Sequence, residues 1–344
     1  MDQRIPVIVL TGYLGAGKTT LLNRILGEDH GRRYAVIVNE FGEIGIDGDL
    51  IASGDEELFE MNNGCVCCTV RGDLIRTLHG LLQREAGGAR PFDAVIVETT
   101  GLADPGPVAQ TFFVDPVLQE RLVLDSVTTV VDARHIGLRL EDSREAAEQI
   151  AFADQILLNK TDLVADHELA EIESRLRRIN GLAPIHRTRR AQVPLDSILA
   201  RGGFDLDRIV SLEPEFLDQR AHGEARHVHD ENCAHAHGAH DHHHDDEIAS
   251  VSLSSNRRMD RLKLERWLDA LVAARGQDIL RLKGIIDVQG EERRFVVQGV
   301  HMLLEGELQR PWRSGEARTS RLVLIGRKLD AAVLQAGFDS CAAP

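Results

Sequence analysis

No run of about 18 consecutive apolar residues occurs in the 344-residue chain, so no membrane-crossing helix is expected. The apolar stretch after Arg4 is too short for a signal-peptide core, and Thr11-Gly12 interrupts it. Basic charge is scarce: 40 Lys and Arg stand against 55 Asp and Glu, for a formal net charge of −15. That argues against a nucleic-acid partner, because phosphate backbones are bound by basic surface. Cysteine is also scarce. The five cysteines are an odd number and three of them share one tetrapeptide, which points to thiols kept reduced in a cytosol rather than to a disulfide framework. The chain is therefore expected to be cytoplasmic, with neither nucleic acid nor membrane as partner. What is present is an ordinary globular composition, 43% hydrophobic, long enough for two domains.

The strongest local pattern is Gly12-Tyr13-Leu14-Gly15-Ala16-Gly17-Lys18-Thr19, a G-x-x-x-x-G-K-[ST] phosphate loop. It follows an apolar run, Ile5 to Leu10, suited to a buried parallel strand, and it leads into a helical pattern over Thr20 to Leu26. An accidental match in a glycine-rich turn would lack that context. Gly12, Gly15, Ala16, Gly17 and Thr20 would line the phosphates with backbone amides at a helix N-terminus. Lys18 would neutralise the β- and γ-phosphates, and the Thr19 hydroxyl would bind Mg²⁺.

A second strand, Tyr34 to Val38, runs into an acidic, glycine-bearing loop from Asn39 to Asp49, where nucleotide switches place a first mobile loop. Then comes Asn62-Asn63-Gly64-Cys65-Val66-Cys67-Cys68-Thr69. Cys65, Cys67 and Cys68 are soft thiolate donors suited to Zn²⁺, and a helix expected over Arg71 to Arg84 would lower their pKa through its dipole. Three thiolates are one fewer than a closed structural zinc site uses. The shell can be completed by a carboxylate, with Glu40 and Glu43 the candidates, or by an incoming partner. Small buried cysteines packing a turn are the plainer alternative.

A third strand, Ala94 to Val97, ends in Glu98-Thr99-Thr100-Gly101. Glu98 sits where an acid holds Mg²⁺, and Gly101 where a backbone amide senses the γ-phosphate. No glutamine occupies the usual water-orienting position and no arginine finger is assignable, so intrinsic hydrolysis is expected to be slow. Further strands, Ser126 to Val131 and Ala153 to Leu158, precede Asn159-Lys160-Thr161-Asp162. N-K-x-D after a strand is the guanine-reading signature. Asp162 would accept from guanine N1–H and the 2-amino group, which adenine cannot satisfy, so discrimination reaches roughly 10⁴-fold. Lys160 would lie along the base, and Asn159 would brace the loop. Thr161 or Asp162 could in addition cap the helix expected over Val164 to Arg178.

From Ala221 to Glu247 the composition collapses into histidine and acid, with nine of the chain's fifteen histidines. Such a stretch has too few apolar residues to pack, and a disordered linker is expected. His235, His237, His240, His242, His243 and His244 would form a weak metal-loading tract, unless the segment is only a solvated spacer. Beyond it, Ile248 to Ser254, a helix over Met259 to Ala274, strands over Ile279–Val288, Arg294–His301 and Arg321–Ile325, and a closing helix from Leu329 read as β-α-β-β-β-α. That order fits a small α+β domain of ferredoxin-like type. His301 reads as structural rather than as a ligand. The expected division is 1–212, 213–247 and 248–341, with a mostly parallel α/β sheet first.

In their order, the phosphate loop, Asn39-Glu40-Phe41-Gly42-Glu43, Asn63-Gly64-Cys65-Val66-Cys67-Cys68, Glu98-Thr99-Thr100-Gly101-Leu102-Ala103-Asp104-Pro105 and Asn159-Lys160-Thr161-Asp162-Leu163 resemble the CobW-type P-loop GTPases. Arg281-Leu282-Lys283-Gly284 and Val297-Gln298-Gly299-Val300-His301 agree with the carboxyl-terminal domain of that family. The resemblance spans nearly the whole chain and is closest to the zinc-regulated GTPase metalloprotein activators. It does not extend to the amino-terminal segment that docks methionine aminopeptidase in some of them. It implies a GTP-hydrolysing metallochaperone that uses GTP and Mg²⁺, and carries Zn²⁺ on Cys65, Cys67 and Cys68, with Co²⁺ or Ni²⁺ as other ions the ligands accept. Its partner would be a client apo-metalloprotein, and a homo-oligomer is allowed. The rival readings are a metal buffer and an accessory of cobalt or nitrile-hydratase maturation.

Overall fold

Short β-branched runs build the first sheet. The computed structural model describes residues 4–28, 31–39, 57–61, 68–85, 92–199 and 248–344. In chain order its first part is β1 (Ile5–Thr11), α1 (Lys18–Gly27), β2 (Tyr34–Asn39), β3 (Glu57–Met61), α2 (Cys68–Glu85), β4 (Ala94–Glu98), α3 (Pro105–Val114) and α4 (Pro116–Arg121). It continues with β5 (Leu122–Asp132), α5 (Ile136–Asp142), α6 (Arg144–Phe152), β6 (Gln155–Asn159), α7 (Asp166–Ile179) and β7 (Ile185–Arg187). The strands pair in the order β3-β2-β4-β1-β5-β6-β7, and every pairing is parallel. A parallel sheet needs helices on both faces, which is why β1 is apolar at consecutive positions. Val7 and Val9 pack with α2, α3 and α6, whereas Ile8 and Leu10 pack with Leu21, Leu22 and Ile25 of α1.

Several helices start where a short polar side chain caps them. Asp104 accepts from Gly106 N at the start of α3, and Asp115 from Leu118 N at α4, each with proline in the first turn. α2 begins at Cys68 itself, three residues earlier than the apolar spacing alone indicates.

The second part is β8 (Ile248–Ser255), α8 (Arg261–Arg275), β9 (Ile279–Ile286), β10 (Arg293–Val300), β11 (Leu303–Pro311), β12 (Ser320–Arg327) and α9 (Ala331–Ser340). Its sheet runs β11-β10-β9-β12-β8, all antiparallel. β8 and β9 are joined through α8 with β12 between them, a split βαβ unit. β11 is an added edge strand that the expected β-α-β-β-β-α order lacks, because its Leu-Leu-Glu-Gly-Glu-Leu pattern does not alternate. Helices α8 and α9 cover one face through Leu264, Leu268, Leu334 and Phe338. The other face presents Leu280, Val300, Val323 and Ile325 to Ile150 and Phe152 of the first part, in one continuous core. Each such side chain, fully buried, contributes roughly 1.5–3 kcal/mol.

Charges at this junction are buried and paired. Asp154, just after α6, accepts from Arg281 Nη2 at 3.2 Å and from Lys283 Nζ, both on β9, while its other oxygen accepts from Val127 N at 2.8 Å. Arg327 Nη2 donates to Glu148 of α6 at 2.5 Å. Burial alone would raise the Asp154 carboxyl, but Lys283 and Arg281 outweigh it and hold it down at about 2. A carboxyl whose folded pKa is depressed stabilises the fold above its unfolded pKa, and that contribution disappears as the group protonates. Asp154→Asn is accordingly expected to destabilise the protein by about 3–5 kcal/mol at neutral pH, since two buried cations lose their counter-charge. In the wild type, denaturant midpoints should fall as pH drops from 3.8 towards 2. The variant should be flatter across that window, and an unchanged slope would refute the assignment.

Candidate nucleotide-binding site

The glycine-rich loop joins β1 to α1, and two of its glycines are fixed by crowding. A Cβ on Gly12, at φ 140°, would lie 2.2 Å from the Val130 carbonyl oxygen. One on Gly17, at φ 114°, would lie 2.5 Å from Asn159 Nδ2. Gly15 differs: nothing lies within 4 Å of its Cβ direction, and only its left-handed φ of 73° favours glycine. Ala16 is buried, and its N–H donates to the Tyr13 carbonyl at 3.1 Å. Gly17 caps α1 without a side-chain acceptor, and the first turn holds no acid. The first-turn amides and the positive end of that helix are therefore available to an anion. Lys18 folds back over the loop, its ammonium donating to the Gly12 carbonyl at 2.8 Å.

β4 delivers the acid. Glu98 is opposite Leu10 in register and is buried at 6% exposure. The next residue is locked to β1, with Thr99 N donating to Leu10 O at 2.9 Å and Thr99 Oγ1 to Thr11 Oγ1 at 2.8 Å. Gly101 lies against the phosphate loop so tightly that a Cβ would meet Leu14 at 2.7 Å. Its carbonyl and that of Ala103 both accept from the buried Gln149 Nε2, each at 3.1 Å. Gln149 on α6 is a tether that sequence reasoning missed. Nothing local marks it, because it lies nearly fifty residues from the loop it holds. Since its amide is spent on those two carbonyls, it does not stand as the absent water-orienting glutamine.

β6 delivers the third element. Asn159 Nδ2 donates to the Ala16 carbonyl at 2.9 Å, and its Oδ1 accepts from Ala191 N at 2.9 Å and Thr188 Oγ1 at 3.2 Å. The Ala191 carbonyl is in turn held by Arg24 of α1 at 2.6 Å. Lys160 follows in a left-handed conformation, φ 60°, and its Nζ donates to Asp132 Oδ2 at 2.8 Å. Thr161 to Leu163 form a 3₁₀ turn whose Asp162 is exposed, and Thr161 is pinned by its N–H and hydroxyl to the Thr188 carbonyl. Between the loop, the end of β5 and helices α5 and α6 lies a pocket of about 490 Å³, lined by Tyr13, Gly15, Asp132, Arg139 and Lys160 among others. The Arg139 guanidinium stacks 5.3 Å from the Tyr13 ring centre. Phosphate-loop, acid and base-loop residues thus meet at the carboxyl ends of β1, β4 and β6, the end where open α/β sheets take their ligands.

Glu40, Glu43, Cys65 and Cys67, and the histidines 235, 237, 240, 242, 243 and 244, lie outside the described residues. So does the Cys68 side chain, although Cys68 is the first residue of α2. Their described chain neighbours Asn39 and Met61 close β2 and the edge strand β3, and Val38 of β2 stands opposite Glu98 of β4, so these strands end on the same side of the sheet as Glu98. Among the described residues no group of three or more His, Cys, Asp and Glu could hold a metal ion, and no helix is long and apolar enough to cross a membrane. Cys341 is buried, with its thiol directed at the Gly337 carbonyl at 3.3 Å. His301, as the sequence indicates, is a packing residue. Its ring lies 5.4 Å from that of Phe152, and burial pushes its pKa down despite Asp104 nearby.

Comparison with known proteins agrees with this geometry. The chain is 36% identical over 335 residues to the zinc chaperone YjiA of Escherichia coli, covering 97% of this chain and 98% of that one. It is 33% identical to the zinc chaperone CobW of a Sinorhizobium species, covering 97% and 96% of the two chains. It is 42% identical to zinc-regulated GTPase metalloprotein activator 1 of Schizosaccharomyces pombe over 194 residues, 54% of this chain and 46% of that protein. The crystal structure of Zn(II)-bound YjiA GTPase from E. coli superposes with a TM-score of 0.66 at 30% identity, covering 99% of each chain. Residues 6–187 match the CobW/HypB/UreG nucleotide-binding domain and residues 248–342 the cobalamin synthesis protein cobW C-terminal domain, and the chain belongs to that family.

Proposed function

We propose that this protein hydrolyses GTP and that its nucleotide state governs the release of a zinc ion, carried on Cys65, Cys67 and Cys68, to a client apo-metalloprotein. The observation that carries the reading is the convergence at one sheet end of the glycine loop, Glu98 and the Asn159–Asp162 loop. The names of the relatives, zinc chaperone and zinc-regulated GTPase metalloprotein activator, support the cargo and the kind of partner.

The roles follow from the donors. Gly12 to Thr20 wrap the phosphates with amides, and Lys18, now resting on the Gly12 carbonyl, turns to the β- and γ-phosphates when they arrive. Asp162, exposed on its 3₁₀ turn, would accept from the guanine edge. The Thr19 hydroxyl and the buried Glu98 carboxylate are hard oxygen donors that fit Mg²⁺, which would supply charge neutralisation at the phosphates. Glu98 and Gly101 sit three residues apart, so the acid and the γ-phosphate contact share one strand exit. Zinc is cargo. Three thiolates leave one position for Glu40, Glu43 or a client ligand, and an open shell is what transfer requires. A zinc-bound triple mutant of YjiA has one glutamate and two cysteines replaced by alanine, so thiol ligation in this chain has to be measured on its own cysteines. The division into a GTPase unit through about residue 212, a histidine-rich linker and a client-facing carboxyl-terminal unit belongs to the same proposal.

Nucleotide and zinc must be coupled reciprocally if one governs the other. Zinc affinity measured by competition with a chelator is expected to differ about 5–150-fold between the protein bound to a non-hydrolysable GTP analogue and the protein bound to GDP. Equal affinities would overturn the coupling. The measurement uses Cys65, Cys67 and Cys68 replaced together by serine as its zero. The guanine reading has its own test: Asp162→Asn should reduce the preference for GTP over ATP by a factor on the order of 10³ or more. Retained preference would remove Asp162 from the base site.

A further inference from the structure

We propose that Asp132 is a positioning residue of the base site, holding Lys160 in the extended form on which guanine stacks. This rests on the guanine-nucleotide reading above and assigns a residue outside the N-K-x-D motif to it. β5 and β6 are neighbours in the sheet, and Asp132 pairs in register with Asn159, the residue before Lys160. The Asp132 carboxylate therefore emerges beside the base loop although it is 28 residues away in sequence. Its Oδ2 accepts from Lys160 Nζ at 2.8 Å and lies 2.9 Å from His135 Nδ1, and its Oδ1 accepts from Arg134 N at 3.0 Å. Apart from the lysine, the carboxylate is thus fixed by two contacts, one on each oxygen. Burial tends to raise its pKa, but the contacts with Lys160 and His135 outweigh that and keep it ionised.

Lys160 needs such a partner. Its backbone is left-handed, a conformation that costs about 1–3 kcal/mol and persists where the surroundings impose it. A lysine side chain carries about 2 kcal/mol of rotamer entropy. Anchoring its ammonium fixes the aliphatic stem as a flat, apolar surface before a purine arrives, so ordering is not charged against binding. The same ion pair neutralises the ammonium locally, leaving the stem rather than the charge as the contact with the base. Lys160 lines the pocket shared with Gly15 of the phosphate loop, the direction from which a nucleotide bound to that loop would approach.

The test is a double-mutant cycle on the full-length protein, read as the dissociation constants of GDP and GTP. Asp132→Ala is expected to weaken both nucleotides by about tenfold, with the loss in hydrolysis appearing in KM and not in kcat. Lys160→Ala should weaken them at least as much, and the double variant no further than Lys160→Ala alone, because Asp132 acts through Lys160. Asp132→Asn keeps the size and one acceptor oxygen, should fall between wild type and Asp132→Ala, and carries the same cycle if the alanine variant does not fold. Full additivity with Lys160→Ala, or an unchanged GDP affinity in Asp132→Ala, would overturn the proposal while leaving the guanine reading standing. Absence of GDP binding by the wild type would overturn both.

Discussion

One hydrogen-bonded contact joins the two halves of the nucleotide site: the Asn159 amide against Ala16 and Gly17. The amide donates to the Ala16 carbonyl at 2.9 Å, and Gly17 comes so near that no Cβ fits. Its oxygen takes Ala191 N and Thr188 Oγ1, so both ends of the buried amide are hydrogen-bonded. A residue that packs here without hydrogen bonding would leave a carbonyl and an amide unpaired, at about 1–3 kcal/mol each. This side chain ties the phosphate loop directly to the base loop, the two parts that one nucleotide would span.

Around that contact the sheet does the aligning. Parallel strands put β1, β4, β5 and β6 in step, so Thr11, Glu98, Asp132 and Asn159 all leave the sheet at one end. Helices on both faces bury the strands, and the loops at that end can differ without disturbing the core. Residues far apart in sequence reach one another there through strand ends rather than through any local motif.

The same logic separates what was legible in the sequence from what was not. The phosphate loop, Glu98 and Asn159 to Asp162 are each written in a few adjacent residues, because each is one turn whose backbone demands particular residue types. The strands and longer helices are legible from their apolar spacing, as in α7 and α8. α3 was not, since Pro-Gly-Pro-Val-Ala-Gln-Thr-Phe-Phe-Val is buried nearly all round and has no polar face to give a period. β3 was not, because five residues with two glutamates carry too little pattern. Gln149, Asp132 and the ion pairs of Asp154 are tertiary facts. Each is an ordinary polar residue until the chain has folded and brought its partner from 28 to 129 positions away.

Helix α6 shows what such tertiary facts accomplish together. Gln149 holds the carbonyls of Gly101 and Ala103, while its neighbour Glu148 takes Arg327 from β12, and Phe152 lies against His301 from the turn after β10. Successive helical residues point about 100° apart, so a nine-residue helix has one side on the loop after β4 and another on the second sheet. A helix this short and this well packed moves as a body, because interiors at crystal-like density do not absorb displacement. A shift of Gly101 that keeps both bonds to Gln149 must therefore carry α6, and with it the Glu148–Arg327 pair. A shift that breaks them strands a buried amide and two carbonyls, at about 1–3 kcal/mol for each group left unpaired. Through Gln149 and Glu148 this one helix therefore links the loop after β4 to the carboxyl-terminal sheet.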